Sequence, residues 1–391
     1  MNNTESEMSN TLRLVSMIVQ MGLHEKPARV PFMLSGDSGI GKTDVMLELA
    51  DVLGQALNRP YAGEVWSGPQ LQAEEASGLP VPDFEDGTTR LFPLRLGKRC
   101  IEAGAGLLCI DEFGSLSNSQ EAAFLNLVQG GVLGELSLPY SIGLGAMMNP
   151  ADIAANGREL SAPAANRFAW FDFSMPMSMW LDYMRGGRGA LAHIQVLPED
   201  WHALIPQTKG LIASYISRNP SELHRRPAAH NAGCAWPSPR SWDNAAKLLA
   251  TVMSIGARKT SDMAALAVQS CVGEGSAESF MQWLMDMSLP DPEELLSDPE
   301  NAYKLFPDRP DQMQVAMEAL ATAAQDKTRD DRRERWEKAW VILGPVFLKA
   351  NDQGISGAKI LAKDVPTGAT YPPEAREITP ILKKAGLVKD T

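Results

Sequence analysis

The sequence predicts an α/β fold, a mostly parallel sheet flanked by helices, followed by a mostly helical second half. Three observations predict it. Short apolar runs alternate with segments of helical spacing over the first 175 or so residues. One of those runs leads into a glycine-rich stretch that opens a helix, the strand–turn–helix context of a phosphate-binding loop. From about residue 176 onward helical spacing dominates, with Pro and Gly breaks near 186–189, 219–240 and 287–298.

Taken in order, Ser9 to Met21 reads as a short helix, because Leu12, Val15, Ile18 and Val19 share a face and Gly22 can stop it. Val30 to Leu34 is apolar and ends in a Gly-rich turn, as a buried strand would. Thr43 to Leu53 then places Val45, Met46, Leu49, Ala50 and Leu53 on one broad helical face. Residues 67–100 mix Gly, Pro and acids without clear periodicity and read as an insert or long loop. Gly106 to Ile110 is a second buried strand, and Gln120 to Val128 is helical. After Gly130-Gly131, Val132 to Leu138 reads as part of a β-hairpin. Ser141 to Met148, ending at Asn149-Pro150, and Phe168 to Phe173 supply further strands. Residues 327–340, KTRDDRRERWEKAW, read as a solvated amphipathic helix, since their acids and bases nearly cancel. No clear internal repeat is found.

Composition narrows the class. A chain of 391 residues is long enough for two domains, and 44% hydrophobic with 21% charged residues fits a soluble globular protein. The net charge of −12 disfavours binding of nucleic acid or anionic membrane by the molecule as a whole. Cys100, Cys109, Cys234 and Cys271 are scattered, with no CxxC pair, and read as reduced thiols. No run approaches the ~20 apolar residues of a membrane span. The polar start MNNTESEMSN lacks a signal-peptide pattern, so the expected location is cytoplasmic.

The sharpest chemical signal is Gly36-Asp37-Ser38-Gly39-Ile40-Gly41-Lys42-Thr43, a full G-x-x-x-x-G-K-[ST] between a strand and a helix. The glycines let backbone N–H groups wrap phosphate, and the helix N-terminus favours anionic oxygens. Lys42 is placed to pair with the β- and γ-phosphates of ATP, and Thr43 to ligate Mg²⁺. The second signal is Leu107-Leu108-Cys109-Ile110-Asp111-Glu112, an apolar strand ending in two acids where such a sheet exposes its ligand edge. Asp111 is the expected Mg²⁺ holder, and Glu112 the group that polarises the attacking water.

These motifs are followed by Asn149 after an apolar strand, by Ala165-Asn166-Arg167-Phe168, and by Trp236-Pro237-Ser238-Pro239-Arg240-Ser241-Trp242. The series resembles the AAA+ ATPases of the MoxR group over roughly residues 28–255. Ser77-Gly78-Leu79-Pro80-Val81-Pro82 looks like that group's variable insert, and Leu138-Pro139-Tyr140 like the end of its hairpin before the sensor strand. The resemblance implies an AAA+ core over residues 1–175 and a helical lid over 176–260, and the helical spacing beyond them leaves 261–391 as a C-terminal helical extension of unassigned role. It implies that Asn149 is the sensor-1 residue orienting water, Arg167 the arginine finger given to a neighbouring subunit, and Arg240 the sensor-2 arginine at the start of the lid. It also implies a homo-oligomeric ring, a hexamer, that hydrolyses ATP as a chaperone or remodeller, with a partner bearing a von Willebrand factor A domain.

Two departures stand beside this. Met148-Asn149-Pro150-Ala151-Asp152 also fits the M-N-x-x-D pattern of the GTPase subunit in McrBC-type restriction systems, which draws attention to Asp152. The alternative function is therefore an NTPase motor, possible with GTP, in a nucleic-acid-directed defence complex. The last 130 or so residues match no family pattern.

Overall fold

The chain begins with helix α1 (Asn3–Ile18), then strand β1 (Phe32–Ser35) and helix α2 (Lys42–Ala56). Strand β2 (Ala62–Ser67), the short α3 (Ala73–Ser77), an antiparallel hairpin of β3 (Leu79–Asp83) and β4 (Thr88–Phe92), and α4 (Arg95–Ala103) follow. β5 (Gly106–Asp111) leads to α5 (Asn118–Gly130), and a second hairpin, β6 (Val132–Leu133) with β7 (Leu136–Ser137), leads to β8 (Ile142–Met148). After α6 (Ala162–Ala165), β9 (Ala169–Asp172) and α7 (Met177–Met184), the rest is helical: α8 (Ile205–Arg218), α9 (Pro239–Ser254), α10 (Asp262–Val272), α11 (Glu274–Asp286), α12 (Pro292–Ser297), α13 (Pro310–Ala324), α14 (Arg332–Lys349) and α15 (Asn351–Lys363). This computed structural model describes residues 3–92, 95–150, 160–227, 233–286, 289–307, 310–349, 351–373, 375, 376 and 378.

Five strands form one sheet in the order β2-β5-β8-β1-β9, every neighbouring pair parallel. The central strands read as near-continuous apolar runs because both faces are covered, and β8 is buried along its whole length. Gly145 of β8 lies opposite Phe32 of β1, and a Cβ there would fall 2.3 Å from the Phe32 ring, so the ring needs glycine across from it. The register pairs Ser35 with both Met148 and Asp172, and Ser67 with Asp111. The turns after β1, β5 and β8 therefore leave from one edge of the sheet, where open α/β sheets bind ligand. The fold is the α/β phosphate-loop arrangement that the alternating runs predict.

Contacts divide the chain into two units, Met1–His202 with Glu222–Glu278, and Ala203–Ser221 with Ser279–Thr391. In the first, a core beneath the sheet gathers Leu108, Ile110, Phe113, Phe124, Leu144 and Phe168, with Phe113 meeting Phe168 edge-on at 5.5 Å. In the second, Leu320, Trp336, Trp340, Leu343, Phe347 and Leu361 form a separate core. Buried Arg335 makes paired hydrogen bonds to Glu293.

Three local expectations need correction. Residues 67–100 are not a featureless loop but hold α3, the β3–β4 hairpin and α4. The hairpin escaped detection because its strands are exposed on both faces, so no alternation of apolar and polar residues marks it. The first helix starts at Asn3 rather than Ser9. The charge-dense segment is helical only from Arg332 onward; there it is amphipathic as expected, with Trp336 and Trp340 fully buried and Trp336 Nε1 donating to the Leu361 carbonyl at 2.9 Å. Among the described residues, no helix is long and apolar enough to cross a membrane.

Candidate functional site

The turn from β1 to α2 carries Gly39 at φ +78° and Gly41 at φ +88°, both left-handed, which a side chain would resist. This backbone brings Lys42 and Thr43 to the first turn of α2, at the ligand edge of the sheet. Lys42 is only 7% exposed, and its Nζ donates to the carbonyls of Gly36 and Asp37 (2.7 Å for Asp37) and to Asn149 Oδ1 at 2.9 Å. Burial pushes its pKa down, while Asp111 and Asp37 push it back up. An ammonium held by neutral acceptors beside two carboxylates is ready to exchange some of those acceptors for phosphate oxygens.

Thr43 Oγ1 donates to Asp111 Oδ2 at 2.6 Å, so the hydroxyl from α2 and the carboxylate ending β5 converge. Hard oxygen donors on this scale suit Mg²⁺, which keeps most of its shell for water and phosphate and takes few protein ligands. Asp111 Oδ1 accepts from the Glu112 backbone N–H at 2.8 Å. Glu112 itself has φ +54°, a left-handed conformation costing a non-glycine residue about 1–2 kcal/mol. Glu112 directly follows the last residue of β5 and lines the cavity at that edge of the sheet. A cavity of about 300 Å³ is lined by Ser38, Gly39, Lys42, Thr43, Asp111, Glu112 and Asn149, among others. The structure thus brings the loop, the acidic pair and Asn149 to one place.

A larger cavity, about 500 Å³, shares Gly39, Gly41 and Asp44 with the first. Its other walls include Val45, Met175, Met177, Trp180, Tyr183 and Arg188. The sequence reading missed this wall. Its signal was the aromatic and methionine content of MSMWLDYM just after the last strand, which reads as core until the structure shows Trp180 and Tyr183 exposed.

Arg167 and Arg240 line neither cavity. Arg167 Nε donates to Gln129 Oε1 at 2.8 Å, and its Nη1 to the Pro163 carbonyl. Arg240 is exposed in the first turn of α9, after the N-cap Ser238 and Pro239. Burial lowers the Arg167 pKa, and the nearby positive charge of Arg240 lowers it further. Asn166, also missed, is buried and ties the two segments together through Trp236 and Ser238. Asp152 lies outside the described residues.

No family model matches the chain, and no curated protein matches it. Among solved structures, it aligns with a full-length MCM homolog from Methanopyrus kandleri at 13% identity and a TM-score of 0.35. That alignment covers 73% of this chain, which spans 56% of the homolog's length.

Proposed function

We propose that the protein binds and hydrolyses ATP with Mg²⁺ as an AAA+ protein of MoxR type, in a ring that remodels a partner protein. The observation that carries the nucleotide part is the convergence of Lys42, Thr43, Asp111, Glu112 and Asn149 on one cavity at the carboxyl edge of a parallel sheet. The larger cavity beside it, with the Trp180 and Tyr183 rings, suits a purine base.

In this reading Lys42 leaves Asn149 to meet phosphate, and the freed Asn149 amide holds the attacking water. Glu112 accepts the proton from that water. Thr43 and Asp111 are the residues that would hold Mg²⁺, whose charge offsets the negative charge of the transferring phosphoryl group. Among the described residues no arginine lines the phosphate cavity, while Arg167 and Arg240 stand close to each other elsewhere in the same unit. A neighbour placed head to tail would supply Arg167, and a heterologous contact that closes makes a ring, a hexamer in this reading. Residues 176–260 then act as the lid and 261–391 as an extension; a partner with a von Willebrand factor A domain fits the same reading.

The test is phosphate release from ATP with Mg²⁺, alongside calorimetry of ATP binding. Hydrolysis by the wild type, lost in Glu112→Gln with ATP still bound, supports the proposal. Absence of ATP binding by the wild type overturns it.

A further inference from the structure

The β3–β4 hairpin has no place in the nucleotide chemistry, yet it presents the most exposed large apolar side chain among those described. Phe84, at its tip, is 92% exposed. Leu79, Val81 and Phe92 are also exposed, and the register places all three on one face of the ribbon. Arg90 and Asp83, paired in a salt bridge, share that face. Exposed apolar groups clustered in this way mark contact surfaces.

The edges of the ribbon limit how a partner could bind. Leu91 uses its outward N–H and carbonyl on Glu135, at 2.9 and 3.2 Å, so the β4 edge is covered by the β6–β7 turn. Pro80 lies opposite Leu91 in a pair whose backbone groups point outward, and Pro82 follows two residues later. Neither proline has an N–H, so the β3 edge lacks donors for strand addition. Docking must therefore use side chains of the tip and the apolar face.

Charge selects the occupant. The hairpin holds Asp83, Glu85 and Asp86 against Arg90 alone, and Arg90 is tied to Asp83. Phosphates of a nucleic acid would meet net negative charge around Phe84. The same acidic tip on a second copy would meet the same repulsion, which disfavours pairing of hairpin with hairpin. A basic segment would not.

We propose that the β3–β4 hairpin docks a basic polypeptide segment of a partner protein, one that alternates Lys or Arg with apolar side chains, through Phe84, the Leu79–Val81–Phe92 face and the acidic tip. This deepens the remodelling reading, because it gives the class of segment that the partner would present. A cavity of about 230 Å³ beside Arg90, Leu91, Phe92, Glu135 and Leu136 could take one side chain of that segment.

The test measures fluorescence anisotropy of a labelled Lys/Leu peptide with the full chain, against the same peptide with Glu for Lys and a single-stranded oligonucleotide. The variants are Phe84→Ser and Glu85→Lys. Asp83 and Asp86 are left intact because they hold the turn, Asp86 accepting from Thr88 N at 2.9 Å and Asp83 from Glu85 N at 3.0 Å. The expected result is binding of the Lys peptide, weakened by salt and weakened about 10–100-fold by Phe84→Ser. Glu85→Lys should also weaken it, with ATP affinity unchanged in both variants. Equal binding of the Glu peptide or the oligonucleotide overturns the proposal, as do failure of the Lys peptide to bind and insensitivity to both variants. A change of oligomeric state in Phe84→Ser also overturns it, in favour of a contact between copies. ATP binding, read separately, tells failure of this proposal from failure of the nucleotide reading.

Discussion

Asn166 and Ser238, 72 residues apart in sequence, meet in the buried joint between α6 and α9: Ser238 Oγ donates to Asn166 Oδ1 at 2.7 Å. Asn166 Nδ2 donates in turn to the Trp236 carbonyl at 2.9 Å, and Ser238 caps the helix that begins with Pro239 and Arg240. Each neighbour of the joint carries an arginine, Arg167 on one side and Arg240 two residues beyond Ser238. The joint therefore holds two like charges close together against their repulsion.

Asn166→Ala should remove one hydrogen bond each from the Ser238 hydroxyl and the Trp236 carbonyl, which both keep Ser241 as a partner, at a cost of about 0.5–1.5 kcal/mol per bond. Chemical denaturation measures that loss. ATP affinity should be unchanged, since Asn166 lines neither cavity beside the loop. Hydrolysis should fall as the arginines lose their relative position, and an unchanged rate would separate the joint from catalysis.

Lys42→Ala should abolish tight ATP binding, because it deletes the buried ammonium aimed at the phosphates. It also deprives Asn149 Oδ1 of its donor. Calorimetry with ATP and Mg²⁺ checks this, and wild-type affinity in the variant would sink the assignment of the loop.

Glu112→Gln should keep ATP bound and slow phosphate release by ~10²–10⁴-fold, the usual worth of a general base. Glu112→Gly offers a second readout. It should relieve the left-handed strain and raise the unfolding midpoint while still removing hydrolysis. A rise in stability with full activity would place the base elsewhere.

Trp180→Ala should weaken nucleotide binding about tenfold by removing a ring from the larger cavity, with the rate at saturation little changed. The same titration with GTP in competition measures base preference, and ATP should win. GTP displacing ATP, but not the reverse, would favour the defence-complex alternative.

Arg167→Ala should bind ATP but be nearly inactive, since a finger arginine is worth ~10³–10⁵ in rate and little in ground-state affinity. Mixed with Lys42→Ala, it should regain activity wherever an intact pocket meets an intact arginine. No rescue in mixed assemblies confirmed by co-purification would remove the physical reason for a ring. Arg188 would then be the arginine to examine, since it lines the larger cavity of its own subunit.

The sequence by itself determined the sheet's central strands and the phosphate loop. Runs such as Leu107–Ile110 and Ile142–Met148 are apolar because both faces of a central parallel strand are covered, and that pressure is written residue by residue. The loop was equally legible, since left-handed turns at Gly39 and Gly41 demand glycine at fixed spacing. Only the tertiary structure decided what depends on meetings between distant segments. It joined Asn166 to Ser238, set Lys42 on Asn149, exposed Trp180 and Tyr183, and raised an unburied hairpin with Phe84 at its tip. Local spacing reports which face of a single element is buried. It carries no record of which other element arrives there, nor of an apolar face left uncovered.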